Sequence, residues 1–185
     1  MLSLAEPGKN FSGIEDYNKV AIVEEYGSDM DCGLYLFPDS VEKMNNVSFK
    51  GNLDTMLFDT DGYLILIGSY SEEDYLSEIA RMSEVTCDIK EVTLAVKYDT
   101  NSYSLPAYIA SDGYDSSYEY ALLDESTHTI TYVFLSYPTT VGITDYSKYL
   151  KKDKTSYLND DFTNFTIYAY TFDNGTSYLE FTDNF

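Results

Sequence analysis

Consecutive β-patterned segments of this chain are joined by short turns, and that spacing constrains the fold more than any other feature. Leu53 to Phe58 and Tyr63 to Gly68 flank Asp59-Thr60-Asp61-Gly62, a hairpin signal. Lys90 to Tyr98 alternates, with Val92, Leu94, Val96 and Tyr98 on one side and Glu91, Thr93, Ala95 and Lys97 on the other. Asp99-Thr100-Asn101-Ser102 then turns the chain into Leu105 to Ala110. Tyr118 to Leu123 and Thr129 to Leu135 pair around Asp124-Glu125-Ser126-Thr127-His128, and Thr166 to Phe172 pairs with Ser177 to Phe181 across Asp173-Asn174-Gly175. Parallel neighbours need long crossovers, and too few helical segments intervene to supply them. The expected fold is α+β: one twisted antiparallel sheet with one or two helices packed on a face.

Two segments carry helix signals. Ser12-Gly13-Ile14-Glu15 matches a capping box, and Ile14, Tyr17 and Val20/Ala21 follow at helical spacing until Gly27 offers a stop. Val20-Ala21-Ile22-Val23 also fits a short buried strand. In the second segment Ser71 is the cap, Glu72, Glu73 and Asp74 occupy the first turn where the helix dipole favours negative charge, and Asp74 completes the box. Tyr75, Leu76, Ile79 and Met82 then form one apolar stripe, which assigns Glu78 and Arg81 to the solvent side.

Residues 1–185 read as a single domain, with a core at 34–152 and a C-terminal hairpin at 166–182 that packs on the sheet or pairs with another chain. That length buries a sizeable core. Charge narrows the function: 11 Lys+Arg against 32 Asp+Glu leave a net charge of −21. Such a surface repels phosphate, and the single arginine, Arg81, forms no guanidinium cluster, so nucleic acid is excluded as a generic partner. No apolar run approaches the ~18 residues of a membrane-spanning helix, so no transmembrane segment is expected. Disorder is not expected either, because the acidity accompanies abundant Tyr, Ile, Leu, Val and Phe. Lys148, Lys151, Lys152 and Lys154 fall in the least patterned stretch, Pro138 to Asn164, and read as a solvated loop; contact with an anionic envelope or lipid is the alternative.

Asp59-Thr60-Asp61-Gly62 starts like a calcium loop, but Tyr63 and Tyr70 hold the positions where an EF-hand needs an oxygen ligand and a glutamate. Asp29-Met30-Asp31-Cys32-Gly33 and Asp112-Gly113-Tyr114-Asp115 fail in the same way. The lone histidine and two distant cysteines offer zinc no ligand pair at motif spacing, so no metal site is expected. His128 is the one conventional neutral-pH base, near Asp124 and Glu125, yet no Gly-x-Ser-x-Gly or comparable nucleophile motif accompanies it. It reads as a turn histidine hydrogen-bonded to a carboxylate. No glycine-rich phosphate loop is present, and no cofactor is indicated. Cys32 and Cys87 either close one disulfide, stabilising by ~4 kcal/mol on the chain-entropy estimate, or remain two buried thiols.

Tyrosine is the unusual component, at 20 residues with no tryptophan. Tyr98, Tyr103, Tyr108, Tyr114, Tyr118, Tyr120, Tyr132 and Tyr137 lie close together in sequence, and Tyr168 and Tyr170 share a strand face. An exposed row of such rings suits a protein or glycan surface, whereas cross-strand packing would consume them. Tyr108, Tyr114, Tyr118 and Tyr120 are the candidate ligand-binding residues, with no catalytic residue assigned.

Several blocks carry a family resemblance: Leu36-Phe37-Pro38-Asp39-Ser40, Tyr70-Ser71-Glu72-Glu73-Asp74-Tyr75 leading into Glu78-Ile79-Ala80-Arg81, Pro106-Ala107-Tyr108, and Tyr118-Glu119-Tyr120-Ala121-Leu122-Leu123-Asp124-Glu125 with His128 and Tyr132-Val133-Phe134-Leu135. Over roughly Leu34 to Lys152 the chain resembles an uncharacterised family of small, often secreted or lipid-anchored proteins of Gram-positive, gut-type bacteria. The resemblance implies export and brings no activity, ligand or site residue. The opening residues Met1 to Lys9 show neither a basic leader nor a long apolar stretch. The function expected is therefore a non-catalytic binding or interaction domain at the bacterial cell surface, its partner a protein or glycan. A cytoplasmic acidic inhibitor or immunity-type protein that neutralises a basic partner is the alternative. A hydrolase using His128 with Asp124 or Glu125 is a third reading. Nothing in the sequence sets an oligomeric state.

Overall fold

A computed structural model describes residues 8–30, 33–55, 60–89, 92–114, 117–137 and 142–152. The chain runs through β1 (Lys9–Phe11), a 3-10 turn (Ile14–Asp16), α1 (Lys19–Met30), β2 (Asn45–Thr55), β3 (Thr60–Ser69), α2 (Glu72–Ser83), β4 (Thr86–Ile89), β5 (Val92–Ala95) and β6 (Lys97–Asp99). It continues through β7 (Ala107–Tyr114), β8 (Ser117–Asp124), β9 (Thr129–Ser136), α3 (Ile143–Tyr146) and a second 3-10 turn (Ser147–Tyr149). The fold is α+β, as expected: a seven-stranded open sheet in the order β1-β2-β3-β9-β8-β7-β6, with every described pair antiparallel, and a two-stranded β4-β5 ribbon. No helix among the described residues is long and apolar enough to cross a membrane. The hairpin expected at 166–182 lies outside the described residues, as do Tyr168 and Tyr170.

Hairpins β2–β3, β7–β8 and β8–β9 are local, and the long-range steps are β1 joining β2 and β9 docking against β3. Its register sets Leu64 opposite Phe134 and Leu66 opposite Tyr132, while β8 places Ala121 opposite Tyr132 from the other side. One face of the sheet packs Leu64, Leu66, Ala121, Leu123, Tyr132 and Phe134 with Ile22 and Tyr26 of α1, Tyr75 and Met82 of α2, and Leu34, Leu36 and Phe37. The opposite face packs Ile65, Ile109, Tyr118, Tyr120, Val133 and Leu135 with Tyr103, and with Tyr146, Tyr149 and Leu150 from α3 and the turn after it. Both faces of the central strands are thus covered, so odd and even positions bury alike. An antiparallel sheet covered on one side would have left alternate residues wet.

Local details depart from the sequence pattern. Ser12 does not cap a helix. The residues after it make only the short 3-10 turn, and the α1 cap is Asn18, whose Oδ1 accepts from the Ala21 amide at 3.0 Å. Helix α1 then runs past Gly27 to Met30. The second strand of the first hairpin also starts earlier than expected: Thr55 pairs with Thr60, so Thr60 to Gly62 belong to β3. The alternating run from Lys90 to Tyr98 is two strands, because β5 pairs with β4 whereas β6 pairs with β7. Between them the Val96 amide donates to Val85 O at 3.3 Å, and the chain changes partners there. Alternation reports a pleat and does not say which neighbour the strand keeps.

Candidate functional site

Helix α2 starts as its sequence dictates. Ser71 is extended (φ −61°, ψ 158°), and its hydroxyl accepts from the Asp74 amide at 3.1 Å. The way the helix lies on the sheet is less obvious. Glu78 turns inward, its side chain only 11% exposed, and accepts from the Tyr132 phenol at 2.7 Å. Tyr132 and Tyr70 share a hydrogen bond at 2.8 Å. Arg81 donates to both Glu78 oxygens, at 2.9 and 2.7 Å, and to the Leu36 carbonyl. The amide of the same Leu36 donates to Glu119 Oε1 at 2.6 Å, and Lys19 and Tyr17 donate to the next carbonyls, Phe37 O and Pro38 O. Side chains from the sheet, from α2 and from the start of α1 therefore grip the 36–38 segment, and α2 is fixed against it. The expectation that Glu78 faces solvent is corrected, whereas the Arg81 side chain stays 37% exposed. The sheet offers polar partners at that spot, so a charged pair can be covered without being stranded.

The same roll carries Leu76 outward. It belongs to the expected apolar stripe yet is 59% exposed, while Tyr75 and Met82 are buried. Glu72, Tyr75, Leu76 and Ile79, at helical spacing, form one wall of a groove of about 290 Å³. Tyr98 from edge strand β6, Pro106 before β7, Leu123 near the end of β8, and Glu125 and His128 of the β8–β9 turn complete it. Tyr98 is 54% exposed and stacks on Tyr108, its cross-strand partner, with ring centroids 5.1 Å apart.

His128 occupies the left-handed region at φ +49°, which the turn requires. Its carbonyl accepts from the Tyr70 amide at 2.9 Å, tying the turn to the residue that precedes the α2 cap. Its ring lies against Tyr75, centroids 5.2 Å apart. Among the described residues the ring meets this phenol rather than the carboxylate expected from sequence. Asp124 is engaged with Ser126, whose hydroxyl and amide donate to Oδ1 at 2.6 and 3.0 Å. The groove lining includes no serine, threonine or cysteine beside His128.

The electrostatics of the groove are one-sided. Burial and then the Glu125 and Asp124 carboxylates push the Tyr75 phenol up to about 12, so the negative potential of the turn reaches the groove floor. Glu72 and Glu125 are exposed and, among the described residues, take part in no ion pair, whereas Asp74, Asp145 and Asp112 pair with Lys43, Lys50 and Lys151. No three His, Cys, Asp or Glu side chains among the described residues group as a metal site.

The tyrosine candidates divide. Tyr118 and Tyr120 are buried on the second face, Tyr120 stacked on Tyr103 at 4.6 Å and donating to Tyr149 O at 3.1 Å. They are core residues, because α3 and the segment holding Tyr103 cover a face that the sequence pattern treats as open. Tyr108 is half-buried beside the groove, and Tyr114 ends β7 with its side chain outside the described part. The groove instead exposes Tyr98, one of the clustered tyrosines but not among the four candidates, and Leu76, which the sequence assigns to the buried stripe. The signal for Tyr98 was its place on a short strand just before a turn, an edge position. Cys87 is buried, has no disulfide partner among the described residues, and burial raises its thiol; Cys32 lies outside the described residues. Compared with family models, with curated proteins and with solved structures, the chain finds no match.

Proposed function

We propose that the protein is a non-catalytic binding domain that receives its partner in the groove between α2 and the β8–β9 turn. One observation carries this: Leu76 and Tyr98, two of the four large apolar side chains left exposed among the described residues, line the same groove from different elements. Isolated exposed apolar residues are ordinary, but a pair that converges on a concavity marks an interaction site. The location at the bacterial cell surface rests on the family resemblance alone. The test is binding by the full chain and by a Leu76→Ser/Tyr98→Ser variant. Unaltered partner affinity in the double variant would remove the groove from the interaction. The rival reading, an acidic inhibitor of a basic partner in the cytoplasm, is favoured by the net charge of −21. Sequencing the mature N-terminus from the native host, with fractionation of intact cells, separates the two.

A further inference from the structure

We infer that the occupant of this groove is a basic, amphipathic peptide segment of a partner protein, its lysine or arginine held between Glu72 and Glu125 and its neighbouring aliphatic side chain seated on Leu76, Ile79 and Pro106. The inference rests on the groove being the binding site and names what the groove selects.

Three features converge on that class. The walls are aliphatic and aromatic, which favours carbon over a polyhydroxylated surface, and a groove of about 290 Å³ is at the small end for a ligand pocket, suited to one or two side chains of a longer chain. The rim carboxylates are left without a cation among the described residues in a protein that pairs Asp39, Glu25 and Glu78 elsewhere. Bringing an apolar ligand without a cation against them would cost desolvation with no return. The Tyr98 ring, more than half exposed, adds a face for a cation. A positive charge arriving here meets Glu72 from the first turn of α2 and Glu125 from the turn opposite. The same field argues against the other occupants. A second copy of this chain brings its own −21, and phosphate or uronate groups are repelled. Encounter should be steered by charge and therefore be salt-sensitive in rate.

The test uses the full chain and four fluorescein-labelled peptides: alternating Leu-Lys, the same with serine for leucine, with glutamine for lysine, and with glutamate for lysine. At about 150 mM salt, where distant charges are screened, the Leu-Lys peptide should bind by anisotropy and the others at least about tenfold more weakly. Glu72→Gln/Glu125→Gln should weaken it about tenfold, and so should Leu76→Ser/Tyr98→Ser. Glu15→Gln/Glu42→Gln, which removes equal charge from exposed sites outside the groove, should leave it within about twofold. All these side chains are exposed, and an unchanged melting midpoint confirms that each variant is folded. Equal loss in the distant pair, or equal binding of the serine peptide, overturns the inference in favour of unspecific charge attraction. Equal binding of the glutamine peptide, abolished by Leu76→Ser/Tyr98→Ser, overturns the cationic class while the groove stands. Binding that no groove variant alters overturns both. No binding of the Leu-Lys peptide at millimolar protein overturns the inference alone.

Discussion

The phenol of Tyr132 donates to Glu78 Oε1 at 2.7 Å, and this bond joins the middle of the sheet to the middle of α2. Because Glu78 is drawn inward, Leu76 is turned out into the groove. Tyr132→Phe should cost about 1–2 kcal/mol in urea unfolding, since Tyr70 and Glu78 each lose a partner in a covered place. Combining it with Glu78→Ala should cost less than the sum, as both remove one network. Strict additivity would show that the bond does not set the helix.

Glu119 is fully buried and accepts the Leu36 amide. Glu119→Ala strands that N–H and opens a hole, so a loss of about 3 kcal/mol or more is expected. Glu119→Gln keeps an acceptor oxygen and should cost distinctly less. Equal unfolding midpoints for the two variants would contradict the assigned contact.

Along α2, neighbouring substitutions should differ widely. Met82→Ala, at a fully buried position, should cost about 2–5 kcal/mol. Ser71→Ala loses the cap and should cost about 1 kcal/mol. Leu76→Ser should stay within about 0.5 kcal/mol. A large loss at Leu76 would mean that the helix lies with the roll expected from sequence.

Lys151 and Asp112 form a covered ion pair at 2.6 Å, with both side chains nearly buried. Lys151→Met leaves a buried carboxylate without its cation and should cost about 3–5 kcal/mol, read by urea unfolding. A Lys151→Met/Asp112→Leu double variant should recover part of the loss. A Lys151→Met chain as stable as the parent would place the pair in solvent.

Acid should act late. Partners hold several aspartates below the usual range: Lys19 for Asp39, Ser71 and then Lys43 for Asp74, Ser126 for Asp124, and Lys50 and then Tyr63 for Asp145. For Asp99 burial opposes the shift, and the Ser102 and Asn101 amides prevail. A depressed native pKa means that the native state binds fewer protons, so the stabilisation is complete above the unfolded value of about 3.9 and is lost as pH falls through the folded value. These groups predict a melting midpoint that is flat from about pH 8 to 5 and drops below about pH 4. A midpoint already falling between pH 7 and 5 would contradict them. Added salt at neutral pH should raise the midpoint by screening the −21 net charge.

Burial raises the Cys87 thiol and starves it of thiolate. Iodoacetamide should leave it unmodified in the native protein and label it fully in urea, as read by peptide mass mapping. Rapid native labelling would contradict its burial, and the same map without reductant reports whether Cys32 and Cys87 are bridged.

What the sequence determined by itself is what neighbours along the chain can decide: the β2–β3, β6–β7 and β8–β9 hairpins, set by alternation and a turn, and the start of α2, set by Ser71 and the acids after it. Local signals misplaced the start of α1, where Asn18 and not Ser12 satisfies the first free amides. What only the tertiary structure decided is pairing and burial across distance. The docking of β9 on β3 and the covering of Tyr118 and Tyr120 each depend on an element that is not the next one along the chain. The groove belongs to this second kind. Periodicity places Leu76 inside and Glu78 outside, because apolar side chains gain from burial and charges lose. In the folded chain the Tyr132 and Tyr70 hydroxyls and the Leu36 carbonyl wait beneath α2, and the charged pair that they satisfy takes the inner place, leaving Leu76 to the surface.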